Sequence, residues 1–185
     1  MEYDSVNLRN VVLLGHPGSG KTSLAECMLF EAGAISRRGS VDDLSTVSDH
    51  TELEHERKNS IFSTLMHAHW KDSKINLIDT PGFDDFVGEV IASLKVADTA
   101  LMLLNAKNGV EVGTELLWDY IEKFQTPTLF VVNHVENEKA DFELTLEQAV
   151  NRFGPKVIPV QYPLEHGQGF HTIIDALTMH AYVFK

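Results

Sequence analysis

Residues 15–22 read "GHPGSGKT", the spacing G-x-x-x-x-G-K-[ST], placed after the apolar run 11–14 and before a stretch of helical periodicity. That context gives the motif a definite chemistry. Its glycines let backbone N–H groups converge on phosphate oxygens at a helix N-terminus, the ammonium of Lys21 reaches the β and γ phosphates, and the Thr22 hydroxyl is placed to ligate Mg²⁺. Further on, "INLIDTPG" ends an apolar run in Asp79, where folds with such a loop keep the carboxylate that holds Mg²⁺ through water. The backbone N–H of Gly82 can meet a γ-phosphate. The expected nucleotide-binding set is therefore Gly15, His16, Pro17, Gly18, Ser19, Gly20, Lys21, Thr22 and Ser23 on the first loop, and Asp79, Thr80, Pro81, Gly82 and Phe83 on the second. A phosphate loop alone does not separate kinases, ATPases and GTPases.

Positioning these groups needs a particular set of elements. The pattern predicts a strand over 11–14, a helix over 20–32, and then a long polar segment, 34–60, whose length marks it as a candidate switch. Two strand-like runs, "SIFSTLMHAHW" and "KINLIDT", are joined by a turn and predict a hairpin. After them, helices near 87–96, 112–124 and 144–153 alternate with strands "TALMLLNA", "TLFVVN" and "KVIPVQ". Such alternation predicts an α/β fold: a mostly parallel sheet with helices on both faces, one antiparallel hairpin at its edge, and ligands at the carboxyl ends of the strands.

Composition narrows the function classes. The chain has 185 residues, 43% of them hydrophobic, enough for an ordinary core. With 15 Lys and Arg against 27 Asp and Glu the net charge is −12, which opposes direct nonspecific nucleic-acid binding. No apolar run approaches the roughly 20 residues that span a bilayer, and "MEYDSVNLRN" is too acidic and polar for a signal peptide, so a cytoplasmic protein without membrane contact is expected. The single Cys27 excludes an internal disulfide and is expected as a buried helical thiol. His67 and His69 would share a strand face, but no spacing of Cys and His supports a transition-metal site.

Taken in order, "GHPGSGKTSLAECMLFEAGAI", "ERKNSI", "DTPGFDDF", "GVEVGTELLWDYIEKFQTPTLFVVNHVE" and "IPVQYPLEHGQGFHTIIDALTMHAYVF" resemble the N-terminal GTPase domain of elongation factor G-like translational GTPases. The resemblance implies a three-layer P-loop GTPase fold, with residues 1–155 as the GTP-binding domain and 156–185 as the start of the subdomain that elongation factor G inserts. It implies GTP or GDP with Mg²⁺ as ligands, the ribosome as partner, and a part in translocation. By the same resemblance Ser60 is the switch residue that joins Thr22 and Asp79 at the metal, and Asn133, His134 and Glu136 face the base.

Four positions in three motifs depart from the family pattern. Ser60 stands for a threonine and keeps the hydroxyl. Asn133-His134-Val135-Glu136 stands for Asn-Lys-x-Asp; a carboxylate at 136 still accepts from guanine N1–H and its amino group, while His134 lacks the aliphatic stem of lysine. Phe83 occupies the place of a histidine, and a phenyl ring can neither orient water nor move a proton, so the expectation is GTP binding with slow or absent hydrolysis. The loop that completes the base pocket in the family lies beyond residue 185, and the chain is expected to be part of a longer protein. Alternatives are a GTP-binding switch without turnover, a ribosomal-protection or release-factor type of GTPase, and a P-loop phosphotransferase unrelated to translation.

Overall fold

The structure, a computed structural model, describes residues 3–57, 59–82 and 84–184. Its main sheet is built around β1 (Leu8–Gly15), whose alternating apolar residues serve both faces: Val12 and Leu14 enter one core cluster and Leu13 the other. On one side β1 runs parallel to β3 (Ser73–Asp79), and β3 pairs antiparallel with the edge strand β2 (Thr64–Trp70). On the other side come β4 (Thr99–Asn105) and β5 (Thr128–Asn133), both parallel. The resulting order, β2-β3-β1-β4-β5, makes the chain change direction beside β1, so a crevice opens at the carboxyl ends of β1 and β3.

Helix α1 (Lys21–Glu31) covers one face, packing Ala25 and Leu29 on Leu13, Met66, Ala68 and Leu77. The opposite face takes α3 (Val87–Leu94), α4 (Val112–Phe124) and α5 (Phe142–Phe153), with Val90, Leu94, Leu117, Ile121, Ala149 and Phe153 closing over Val12, Met102 and Leu104. The Phe130 and Phe153 rings stack at 5.1 Å, and Asp141 caps α5 by accepting from the Leu144 N–H at 2.9 Å. This is the expected α/β architecture, antiparallel hairpin edge included.

Three expectations are corrected. The polar segment contains a short helix, α2 (Glu52–Arg57), which weak periodicity concealed. The run "KVIPVQ" is not a parallel strand of the main sheet. Pro159 lacks the N–H a central strand would donate, and Ile158, Pro159 and Val160 are exposed. The chain instead forms a second sheet in which β6 (Gln161–Pro163), β7 (Thr172–Asp175) and β8 (His180–Val183) pair antiparallel. Cys27 lies on α1 but is only partly buried, with the Arg38 guanidinium donating to its sulfur at 3.4 Å. Among the described residues no helix is long and apolar enough to cross a membrane.

Candidate functional site

The first functional loop leaves β1 at Gly15 and turns into α1 at Gly20, whose φ of 93° is in the left-handed region that favours glycine. A side chain at Gly20 would also run into the Asn133 amide, so the loop and the end of β5 can approach this closely only there. Asn133 Nδ2 donates to the Ser19 carbonyl at 2.8 Å, and the His134 ring lies 3.2 Å from the Gly18 carbonyl. Lys21 folds back over the loop, donating to the carbonyls of Gly15 at 2.8 Å and His16 at 3.3 Å. A Cβ on Gly82 would come within 2.7 Å of Lys21 Nζ, which puts the second loop directly against the first.

Asp79, at the end of β3, is fully buried. One of its oxygens, Oδ2, accepts from the Thr22 hydroxyl at 2.7 Å and from the Ser48 hydroxyl at 2.8 Å, while Oδ1 is buried without a protein partner. Ser60 Oγ lies 3.4 Å from Thr22 Oγ1, so Thr22, Ser60 and Asp79 do converge. Asp49 joins them, buried with Oδ1 unpartnered, and the Ser19 hydroxyl is buried unpartnered as well. A cleft of about 240 Å³ is lined by Pro17, Gly18, Gly20, Lys21, Thr22 and Ser23 with Asp49, Ser60, Gly82 and His134.

The charges respond to burial. Burial pushes Lys21 down to about 8, with Asp79 and Asp49 partly opposing. It pushes the Asp79 carboxyl up against the bonds from Thr22 and Ser48 and the charge of Lys21. Asp49 is also raised, chiefly by burial. A cation and two acids held toward their neutral forms are what an anionic phosphate and a divalent cation would reverse. The residues fit Mg²⁺: a carboxylate with a free buried oxygen and two convergent hydroxyls is a hard oxygen-donor set that phosphate oxygens would complete. Among the described residues no group of three or more His, Cys, Asp or Glu side chains gathers as a self-contained metal site.

Other sequence-derived candidates face the cleft less directly. Thr80 turns into the core and donates to the Leu13 carbonyl at 2.6 Å, and Pro81 is buried beside it. Glu136 is exposed, 3.5 Å from His134 Nδ1, and lines a larger cavity of about 800 Å³ beside β5 that shares His134 with the cleft and includes Trp118, Phe130 and Phe153 in its walls. Phe83 lies outside the described residues. Ser48 and Asp49 were missed, because nothing in a polar segment without periodicity marks which hydroxyl or carboxylate turns inward.

The parallel strand, the loop that closes on Lys21 and Thr22, and the neighbouring strand that delivers Asp79 define a nucleotide-binding α/β domain of the phosphate-loop class. The family model for the elongation factor Tu GTP binding domain matches residues 6–183, and the chain belongs to that family. It is 38% identical to elongation factor G of Mycoplasma genitalium over 181 residues, covering 98% of this chain and 26% of that protein. Elongation factor G of Salinibacter ruber is 38% identical across 95% of this chain and 25% of its own length. An elongation factor G-like protein of Thermotoga maritima is 35% identical over the same shares. A crystal structure from Thermus thermophilus superposes with a TM-score of 0.90 at 34% identity, covering 96% of this chain and 26% of that one. The chain spans about a quarter of the length of the relatives it matches.

Proposed function

We propose that this chain is the GTP-binding part of a cytoplasmic, ribosome-associated elongation factor of the G type, acting in translocation, with GTP or GDP and Mg²⁺ as its ligands. The observation that carries the reading is the buried Asp79 carboxylate, bonded through one oxygen to Thr22 and open at the other, beside Lys21. Residues 15–23 bind the phosphates, and Gly82 offers its N–H to the terminal one. Thr22, Ser60 and Asp79 hold the Mg²⁺, directly or through water, with Asp49 close by. When bound, the metal neutralises phosphate charge. Asn133 ties the base loop to the phosphate loop, and His134 and Glu136 take the base, the carboxylate favouring guanine. Residues 1–155 form the nucleotide-binding unit. The second sheet, reached through the Gly167 N–H bond to the Val135 carbonyl at 2.8 Å, begins the inserted subdomain.

Hydrolysis in this reading is slow or absent, because Phe83 stands where the family carries a histidine. Losing a group that orients water or handles its proton costs about 10² to 10⁴ in rate. Asp85, exposed nearby, adds negative charge beside a triphosphate and is a poor substitute. The triphosphate form would then be long-lived on the ribosome. Single-turnover GTP hydrolysis by the full-length protein with ribosomes tests this for wild type and Phe83→His. A gain with histidine supports the reading; a wild type as fast as an ordinary elongation factor G overturns the slow-turnover part.

A further inference from the structure

Residues 39–47 are pinned at both ends by one side chain. Glu26, buried within α1, accepts the Gly39 N–H at 2.7 Å through Oε2 and the Val47 N–H at 2.6 Å through Oε1. Between the two ends the segment closes on itself, with Ser45 N–H donating to the Ser40 carbonyl at 3.1 Å, Leu44 N–H to the Val41 carbonyl at 3.2 Å, and Ser40 N–H to the Ser45 hydroxyl at 3.0 Å. Gly39 is where the returning chain crosses: a Cβ there would collide with the Ser45 carbonyl and sit 2.7 Å from Thr46 Cα. The next residue after the second anchor is Ser48, which donates to Asp79, and then Asp49, whose charge is felt by Lys21.

Glu26 also stands four residues after Thr22, so both lie on one face of α1. That face therefore holds Asp79 through Thr22 and the polar segment through Glu26. We propose that Glu26 is a positioning residue: by fixing the amides of Gly39 and Val47 it sets where Ser48 and Asp49 fall against Asp79 and Lys21, and so sets how far Mg²⁺ strengthens the hold on nucleotide. This rests on the nucleotide-binding reading above for its second half only. The first half, that Glu26 fixes residues 39–49, can be tested without nucleotide.

The two halves are tested separately in the full-length protein. Glu26→Gln keeps the shape but turns an amino group toward one of the two part-buried N–H donors, leaving that bond unmade. Without nucleotide, amide exchange across 39–49 should rise about tenfold or more, with the strands at 11–14 and 75–78 unchanged. With a fluorescent GDP analogue, release should speed about tenfold in Mg²⁺ and far less in EDTA, because Ser48 and Asp49 act on the Asp79 side of the site and only Val41 of the pinned segment lines the cleft directly. A side chain that merely stabilised α1 would accelerate both equally. Should Glu26→Gln fail to fold, Gly39→Ala strains the same crossing from the loop side and is expected to give the same metal-selective loss. Exchange that rises uniformly, or release accelerated alike with and without Mg²⁺, overturns the proposal. A wild type that binds no guanine nucleotide overturns the functional reading instead, and the exchange experiment still decides the role of Glu26.

Discussion

Asn133 Nδ2 donates to the Ser19 carbonyl at 2.8 Å, a bond that joins the end of β5 to the phosphate loop across 114 residues of sequence. With the His134 ring 3.2 Å from the Gly18 carbonyl, it joins the element expected to face the base to the one expected to face the phosphates. Asn133→Ala should therefore do more than remove a base contact. It frees the loop at Gly20, and nucleotide affinity should fall about tenfold or more while the fold loses about 1 kcal/mol. Equilibrium titration and urea unfolding of the same variant measure the two effects. Unchanged affinity would detach the base loop from the site.

Lys21 supplies a pH dependence. Burial holds it at about 8, below its ordinary value of 10.5. Between those values the unfolded chain binds more protons than the folded one, so this group makes stability rise with pH across that window; below 8 both states are protonated and the contribution is flat. Phosphate favours the charged ammonium. Affinity for GDP should accordingly decline above pH 8, by up to about tenfold per unit, with a proton taken up on binding. Calorimetry in buffers of different ionisation enthalpy measures that proton. Lys21→Ala should abolish both the proton uptake and the binding.

Glu54 anchors the other end of the polar segment. Buried in α2, it accepts from the Thr51 N–H and hydroxyl at 3.2 and 2.8 Å and from the Ile61 and Phe62 N–H groups at 3.1 and 3.3 Å. Burial raises its pKa, but these bonds outweigh it and hold the carboxyl below its ordinary 4.5. A depressed carboxylate stabilises the fold above its unfolded pKa and loses that contribution as pH falls through the folded value. Glu54→Gln should be less stable than wild type by about 1–3 kcal/mol at pH 7, and the gap should narrow on acidification below 4.5. A gap independent of pH would show that the amide bonds do not need the charge.

The sheet, its hairpin edge and the phosphate loop were legible because each has a local signature. Alternating apolar residues flank a glycine loop, and α4 and β5 fall on the expected residues. The outward turn of "KVIPVQ" was not legible, since its apolar content reads as a core strand and only Pro159 argues otherwise. In the site, Lys21, Thr22 and Asp79 could be named from spacing. Ser48, Asp49 and Glu26 could not, because each acquires its role from a tertiary contact: Ser48 meets Asp79 across 31 positions, and Glu26 meets Val47 across 21. Thr80 shows the converse, a motif residue whose hydroxyl serves the core through Leu13.

The most direct measurement is a calorimetric titration of the protein with GDP and ADP in Mg²⁺, for wild type and Lys21→Ala. If Gly15 to Thr22 cradle phosphates and Glu136 reads the base, GDP should bind at least about tenfold more tightly than ADP, since only guanine offers that carboxylate paired donors. Lys21→Ala should bind neither. Equal affinity for the two nucleotides, or undiminished binding by Lys21→Ala, would contradict the account.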